Sequence, residues 1–273
     1  TQLNLGELYP PKRGDEHRVA NRSDFKKIEV GALIAGGGIA GSALFRYMAD
    51  SGLNPVLVNA DRGSSWRNIG GGRTAFSLPE LAEIAEHNHA IFKELQKISN
   101  IDYKTTRYIN LAHDEPTFNA LDASRAWSDA YMVDPKNFQK EISPYFSTKS
   151  KRYLGALITN DCWQATPGKV VDLIRNMGIS AGGRIVEDCK VLEVMKEGST
   201  YSILVLTHDK KYVEFRTEIF VNALGAGAGK ICEGLGIHAG LYPVRHQAFI
   251  TRRLPMLGKN GDSLDMLIDR QEY

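Results

Sequence analysis

Residues 30–41 open on an apolar run, Val30-Gly31-Ala32-Leu33-Ile34-Ala35, which reads as a buried parallel strand. The run enters a turn with glycines at Gly36, Gly38 and Gly41, and residues 39–50 return to helical periodicity. In that helix Ala43, Leu44, Tyr47 and Met48 stand at core spacing. Gly52-Leu53-Asn54 ends it, and Pro55-Val56-Leu57-Val58 reads as a second strand, completing a βαβ start. The segment Trp66–Phe76 is too rich in glycine to be a strand, and Ser77-Leu78-Pro79-Glu80 forms a capping box. That box opens a helix to about Ser99, with Leu81, Ile84, Ile91, Leu95 and Ile98 on its apolar face.

From Tyr103 to Asp161 the pattern changes to short β-like runs, among them 107–111 and 153–158, with one short helix near 135–142. Thr166-Pro167 caps a further helix carrying Val170, Val171, Leu173 and Ile174. Strands follow at 184–186, 190–194 and 201–207, and residues 218–225 form a buried strand that runs into a helix from Gly225 to Leu235. A strand returning to glycine at its carboxyl end belongs beside the first glycine turn, where open α/β sheets bind ligands. Residues 1–27 are polar and read as an arm or an early strand packed elsewhere.

The first turn has the chemistry of a dinucleotide site. Gly36 permits the tight bend, Gly38 leaves bare backbone for a pyrophosphate, and Gly41 lets the helix pack closely on the strand. Phosphate oxygens would meet unpaired N–H groups at the helix N-terminus, where the dipole favours negative charge. The acidic residue that usually follows about 20 positions later, at the end of the second strand, is replaced by Asn59. Asn59 is a neutral, weaker acceptor for a ribose hydroxyl, and Asp61 two positions on is the alternative. With the carboxylate gone and Arg62 nearby, NADP stays open beside other dinucleotides.

Composition narrows the classes. Lys plus Arg is 34 against 32 Asp plus Glu, a net +2 that argues against nucleic acid and against a polybasic membrane patch. No apolar run approaches the ~18–20 residues of a membrane span. Cys162, Cys189 and Cys232 are odd in number and widely spaced, which indicates neither a disulfide framework nor a metal site. A reducing compartment, most simply the cytoplasm, is expected. His87 and His89 lie two apart on a helix and point in different directions, so they read as exposed or capping residues rather than a metal pair.

Four segments together resemble the FAD-dependent D-amino-acid oxidase and dehydrogenase superfamily, which includes glycine oxidase, sarcosine oxidase and D-arginine dehydrogenase. They are Gly36–Gly41 with Gly52 eleven residues on, Gly71-Gly72-Arg73-Thr74-Ala75-Phe76, Lys190–Val194 and Val221-Asn222-Ala223-Leu224-Gly225-Ala226. The resemblance implies an α/β fold: a Rossmann-type FAD-binding domain with a discontinuous, β-rich α+β substrate domain. It divides the chain into an arm at 1–27, FAD-binding parts at 28–99 and 160–240, and substrate-domain parts at 100–159 and 241–273. FAD would be held by Gly36, Gly38, Ile39, Ala40, Gly41, Asn59, Asp61, Gly71, Gly72, Arg73, Val191, Ala223 and Gly225. Val191 would meet the adenine with its backbone, and Ala223–Gly225 would lie beside the ribityl chain.

The sequence departs from this family at Asn59, where the family has Glu, and at Gly227, where an aromatic residue is common. It also ends at Tyr273, in the middle of a substrate-domain strand, so a truncated fold or a second chain completing it is expected. The implied reaction is C–N oxidation of a small amine or D-amino acid to an imine and then a keto acid, with electrons passed on to an unidentified acceptor. An arginine is expected to pair a substrate carboxylate. Of the two worth naming, Arg73 would run its backbone close to the flavin while its side chain braces the loop, meets the phosphates or forms a structural salt bridge, and Arg245, with His246 and Tyr273, is a candidate for substrate contact. No general base is legible. The alternatives are oxidation of a 2-hydroxy acid or polyol phosphate on the same scaffold, an NADP-dependent reductase, and a non-catalytic flavin-binding subunit or fragment.

Overall fold

A computed structural model describes residues 25–60, 62–76, 78–147, 152–248, 252 and 265–269. At its centre is a four-stranded parallel sheet in the order β12-β2-β3-β8, formed by β2 (Ala32–Ala35), β3 (Pro55–Val58), β8 (Arg184–Val186) and β12 (Phe220–Asn222). Every residue of β2 and β3 is buried, as a parallel sheet covered on both faces requires.

One cover is helical. Phe45 of α1 (Ile39–Asp50) packs with Ile34 and Leu57, and α6 (Pro167–Ser180) lies against α1. The second cover is a sheet in the order β1-β11-β10-β9, made by β1 (Lys26–Glu29), β9 (Lys190–Glu197), β10 (Thr200–Leu206) and β11 (Tyr212–Thr217). Its Val194, Ile203, Val205 and Phe215 share a core with Leu33, Ala35, Val56 and Val58, joined by Ile231 of α7 (Ala228–Gly234).

A third sheet runs β13-β5-β7-β4, from β4 (Gly71–Gly72), β5 (Lys104–Ala112), β7 (Gly155–Gln164) and β13 (Met266–Asp269), with β6 (Ala130–Val133) also paired to β7. The short α2 (Ser64–Arg67), the long α3 (Pro79–Ile98), α4 (Glu115–Ala123) and α5 (Phe138–Glu141) complete the described elements. The chain is thus an α/β fold with a Rossmann-like parallel sheet and two β-rich companions.

Several elements differ from the hydropathy reading. Helix α1 buries Gly41, Ser42, Phe45 and Ala49, while Leu44 and Tyr47 are exposed. The glycine turn draws the helix start so close to β2 that the face with Gly41, Ser42 and, one turn on, Phe45 meets the sheet, and the face with Leu44 and Tyr47 does not. Helix α3 likewise buries Ala82, Ala85, His89 and Leu95, leaving Leu81, Ile84 and Ile98 exposed. His89 is therefore a core residue: its ring stacks on Trp163 at 4.5 Å, with 7° between the planes.

Gly71 and Gly72 do form a strand, paired with Gln164 and Trp163. Glycine is required at Gly72, where a Cβ would lie 2.1 Å from the rigid Trp163 ring, whereas one on Gly71 would meet only the movable end of the Met266 side chain at 2.1 Å. Strand β11 and helix α4 have no counterpart in the hydropathy reading, and the strand expected at 218–225 is confined to Phe220–Asn222. The helix expected from Gly225 begins as a 3-10 turn over Gly225–Gly227. Ser77 lies outside the described residues; the N-cap of α3 is Leu78, with no side-chain cap. Thr166 holds the N-cap of α6, but its hydroxyl donates to Asp102 instead of capping.

The burial of α1 sets a direct test. Phe45→Ala lowers unfolding free energy by about 3–5 kcal/mol, whereas Leu44→Ala and Tyr47→Ala each change it by about 0.5 kcal/mol or less. Urea titration followed by circular dichroism separates the two groups. Equal losses would return the apolar face to Leu44 and Tyr47.

Candidate dinucleotide site

Two glycine turns meet at the carboxyl ends of β2 and β12. The strands pair in parallel, Asn222 opposite Ala35, and the Ala223 N–H donates to the Ala35 carbonyl at 2.8 Å. Gly36 has φ +105°, and a Cβ there would stand 2.2 Å from the Ala223 carbonyl oxygen. One on Gly41 would stand 1.9 Å from the Gly36 carbonyl and 3.1 Å from Ala223 Cβ. The turns touch backbone to backbone, leaving no room for side chains between them. Asn222 secures the second turn by donating from Nδ2 to the Ala228 carbonyl at 2.9 Å.

The first turn ends in a helix N-terminus suited to an anion. Gly38 is the N-cap of α1, with no side-chain cap and no acidic residue in the first turn. The Gly37 N–H donates to Asn59 Oδ1 at 3.1 Å and the Ile39 N–H to Ser65 Oγ at 3.0 Å. The Ala40 and Gly41 N–H groups, like all first-turn amides, have no acceptor within the helix and lie at its positive end. Side chains would fill the concavity: a Cβ on Gly37 would come 2.8 Å from Asn59 Cγ, and one on Gly38 3.0 Å from Ser65 Oγ. A bare-backbone cradle of this kind fits a diphosphate.

Asn59 follows β3 and is only 7% exposed. Its N–H donates to the Val186 carbonyl, and its carbonyl accepts from the Cys189 N–H at 3.1 Å. Residues 186–191 thus run beside the end of β3. The Asn59 side chain turns inward to Gly37, and its Nδ2 donates to Glu187 Oε2 at 2.9 Å. The other Glu187 oxygen pairs with Arg175, a buried guanidinium whose pKa is lowered chiefly by burial. Val191 lies on β9, the edge strand of its sheet, with its side chain packed into the core shared with β3. Asp61 lies outside the described residues.

Strand β4 anchors Gly71 and Gly72 to the third sheet, and Arg73 follows it. The Arg73 guanidinium lies over the Phe76 ring at 4.5 Å and the Tyr108 ring at 5.6 Å, so cation–π contacts brace it there. Two signals on the same sheet face were invisible in the sequence. Thr159 stands opposite Tyr108, and Asn110 lies two residues along β5; both are buried, and among the described residues Thr159 Oγ1 and Asn110 Oδ1 have no hydrogen-bond partner. Their register on a strand carries the only hint, since Thr and Asn in apolar runs are ordinarily paired.

Arg245 and His246 lie on an exposed segment without regular secondary structure after α7. Tyr273 lies outside the described residues. Burial pushes the Cys162 and Cys189 thiols above their ordinary pKa, which keeps both from acting as thiolate nucleophiles. Among the described residues there is no cluster that could hold a metal ion, and no helix is long and apolar enough to cross a membrane.

A parallel sheet with two glycine turns abutting at its carboxyl edge defines a Rossmann-type dinucleotide-binding protein. The family model for FAD dependent oxidoreductases (DAO) matches residues 32–271, and the chain belongs to that family. Its cofactor is accordingly FAD. The anaerobic glycerol-3-phosphate dehydrogenase subunit A1 of Haloferax volcanii is 26% identical over 240 residues, covering 77% of this chain and 39% of that protein. Among solved structures, L-proline dehydrogenase from P. horikoshii superposes with a TM-score of 0.65 at 19% identity, over 78% of this chain and 57% of that one. Glycine oxidase from Geobacillus kaustophilus superposes with a TM-score of 0.64 at 18% identity, over 76% of this chain and 58% of that one. The chain therefore spans between two fifths and three fifths of the length of these relatives.

Two outcomes follow from the site geometry. Gly36→Ala forces a Cβ into the Ala223 carbonyl and costs at least about 2 kcal/mol of stability. Gly225→Ala meets nothing within 4 Å and carries only the strain of φ +56°, about 1–2 kcal/mol. Urea unfolding compares them, and a Gly36→Ala loss no larger than that of Gly225→Ala would contradict the close approach.

His89 gives the second. Burial, opposed by Asp161, lowers its pKa in the folded state. Its contribution to stability is complete above the unfolded value of about 6.5 and is lost as pH falls toward the lowered folded value, because the unfolded chain takes up the proton first. His89→Phe, which keeps an aromatic ring on Trp163, should flatten the fall in melting temperature between pH 7 and 5. An unchanged pH slope would remove His89 from that role.

Proposed function

We propose that this chain binds FAD along the carboxyl edge of the β12-β2-β3-β8 sheet and oxidises a small amine or amino acid at the carbon bearing nitrogen. The backbone contact between the Gly36 turn and the Ala223 turn carries the proposal, because it forms one continuous cradle from two strands. When bound, the flavin ring supplies the hydride acceptor for the substrate carbon. The first-turn amides of α1, Ala40 and Gly41 among them, hold the diphosphate, with Ser65 fixing the helix start through the Ile39 N–H. Ala223–Gly225 line the second side of the cradle. Val191, on an edge strand, offers backbone groups to the adenine.

On the substrate side, Arg73 supplies a cation on the face of the third sheet that also carries Tyr108, Asn110 and Thr159. A guanidinium braced by two rings suits bidentate pairing with a carboxylate. Asn110 and Thr159 add buried polar atoms that have no partner among the described residues. Arg245, His246 and Tyr273 remain candidates for substrate contacts. The names of the two solved relatives, a proline dehydrogenase and a glycine oxidase, support an amine substrate. The Haloferax relative supports a second reading, a glycerol phosphate or similar polyol phosphate oxidised at its carbinol carbon.

A panel of amino acids of both configurations, small secondary amines, 2-hydroxy acids and glycerol 3-phosphate, tested for anaerobic bleaching of the bound flavin, decides between the readings. Amino acids or amines should bleach it, and Arg73→Met should raise the concentration of carboxylated substrate needed about tenfold or more. Bleaching by glycerol 3-phosphate alone would establish the second reading. Bleaching by none would favour a flavin-binding subunit without catalysis.

A further inference from the structure

Asn59 occupies the end of β3, where a dinucleotide fold ordinarily offers a carboxylate to the adenosine ribose. Its amide is turned away from that task, with the oxygen accepting from the Gly37 N–H and the nitrogen donating to a carboxylate, Glu187. Glu187 follows β8, which pairs with β3 in the register Val58 opposite Val186. Asn59 and Glu187 are therefore neighbours on the carboxyl edge of the sheet. An extended ligand anchored on the turn after β2 and running along that edge crosses β3 and then β8.

The Glu187 carboxylate is fixed from both sides. Oε2 accepts from Asn59 and Oε1 from Arg175, whose side chain is 10% exposed. A carboxylate has about four lone-pair directions, so two hydrogen bonds leave acceptor capacity. The Glu187 side chain is 46% exposed, which leaves that capacity open to a ligand. Asn59 also ties this carboxylate to the phosphate turn, since one amide bridges Gly37 and Glu187.

We propose that Glu187 accepts the ribose hydroxyls of the adenosine half of FAD, with the carboxylate moved one strand outward and aimed by Asn59. The assignment rests on the FAD reading above and makes Asn59 a positioning residue. A purely structural Glu187, present only to neutralise Arg175, would be indifferent to the ligand's hydroxyls.

The test titrates the deflavinated full chain with FAD and with FAD analogues built on 2′-deoxyadenosine and 3′-deoxyadenosine, read by flavin fluorescence. The unmodified protein should bind FAD about ten- to a hundredfold more tightly than at least one deoxy analogue, as a hydrogen bond to a charged acceptor provides. In Glu187→Gln that preference should shrink to threefold or less. The double variant Arg175→Met/Glu187→Ala removes the carboxylate without leaving the guanidinium unpaired, and it should lose the preference as well. Equal binding of FAD and both analogues by the unmodified protein overturns the assignment without needing any variant. So does a preference that survives in both variants. Failure of the unmodified protein to bind FAD at all would instead contradict the FAD reading.

Discussion

The close approach of the Gly36 turn to the Ala223 carbonyl is the constraint on which the rest of this fold depends. Two chain reversals at neighbouring strand ends can share one ligand only if no side chain separates them. The 2.2 Å left between a Cβ on Gly36 and the Ala223 carbonyl oxygen shows that none could, and the 1.9 Å between a Cβ on Gly41 and the Gly36 carbonyl holds the helix start against the first turn. Once the helix start is held against the turn, α1 must present its small residues and Phe45 to the sheet. Its first amides then point out at the carboxyl edge.

Asn59 extends the same constraint sideways. Through its backbone and its amide it ties the Gly36–Gly41 turn, the end of β8 and the start of β9 into one unit. The segment from Ser65 to Arg73 carries the chain onward to the third sheet, where glycine is required a second time, at Gly72, because the Trp163 ring occupies the space a side chain would need.

The βαβ start, the second glycine turn and most strands were legible because buried parallel strands are short apolar runs punctuated by glycine. Which face of a helix is buried was harder to read. Leu44, Tyr47, Leu81 and Ile84 look like core residues by periodicity, yet close packing at Gly41 and the flat His89–Trp163 stack select the small residues beside them. Strand β4 was hidden because glycine signals a turn until one sees what lies above it. Glu187 could not be found from spacing, since its link to Asn59 spans 128 positions of sequence and exists only through strand pairing.

Hydrogen–deuterium exchange with and without FAD tests the shared cradle most directly. Saturating FAD should slow exchange together in the peptides covering residues 36–42 and 222–228, with little change in β10 or α5. Protection of only one turn, or protection of both by NADPH and not by FAD, would contradict a single flavin dinucleotide held between them.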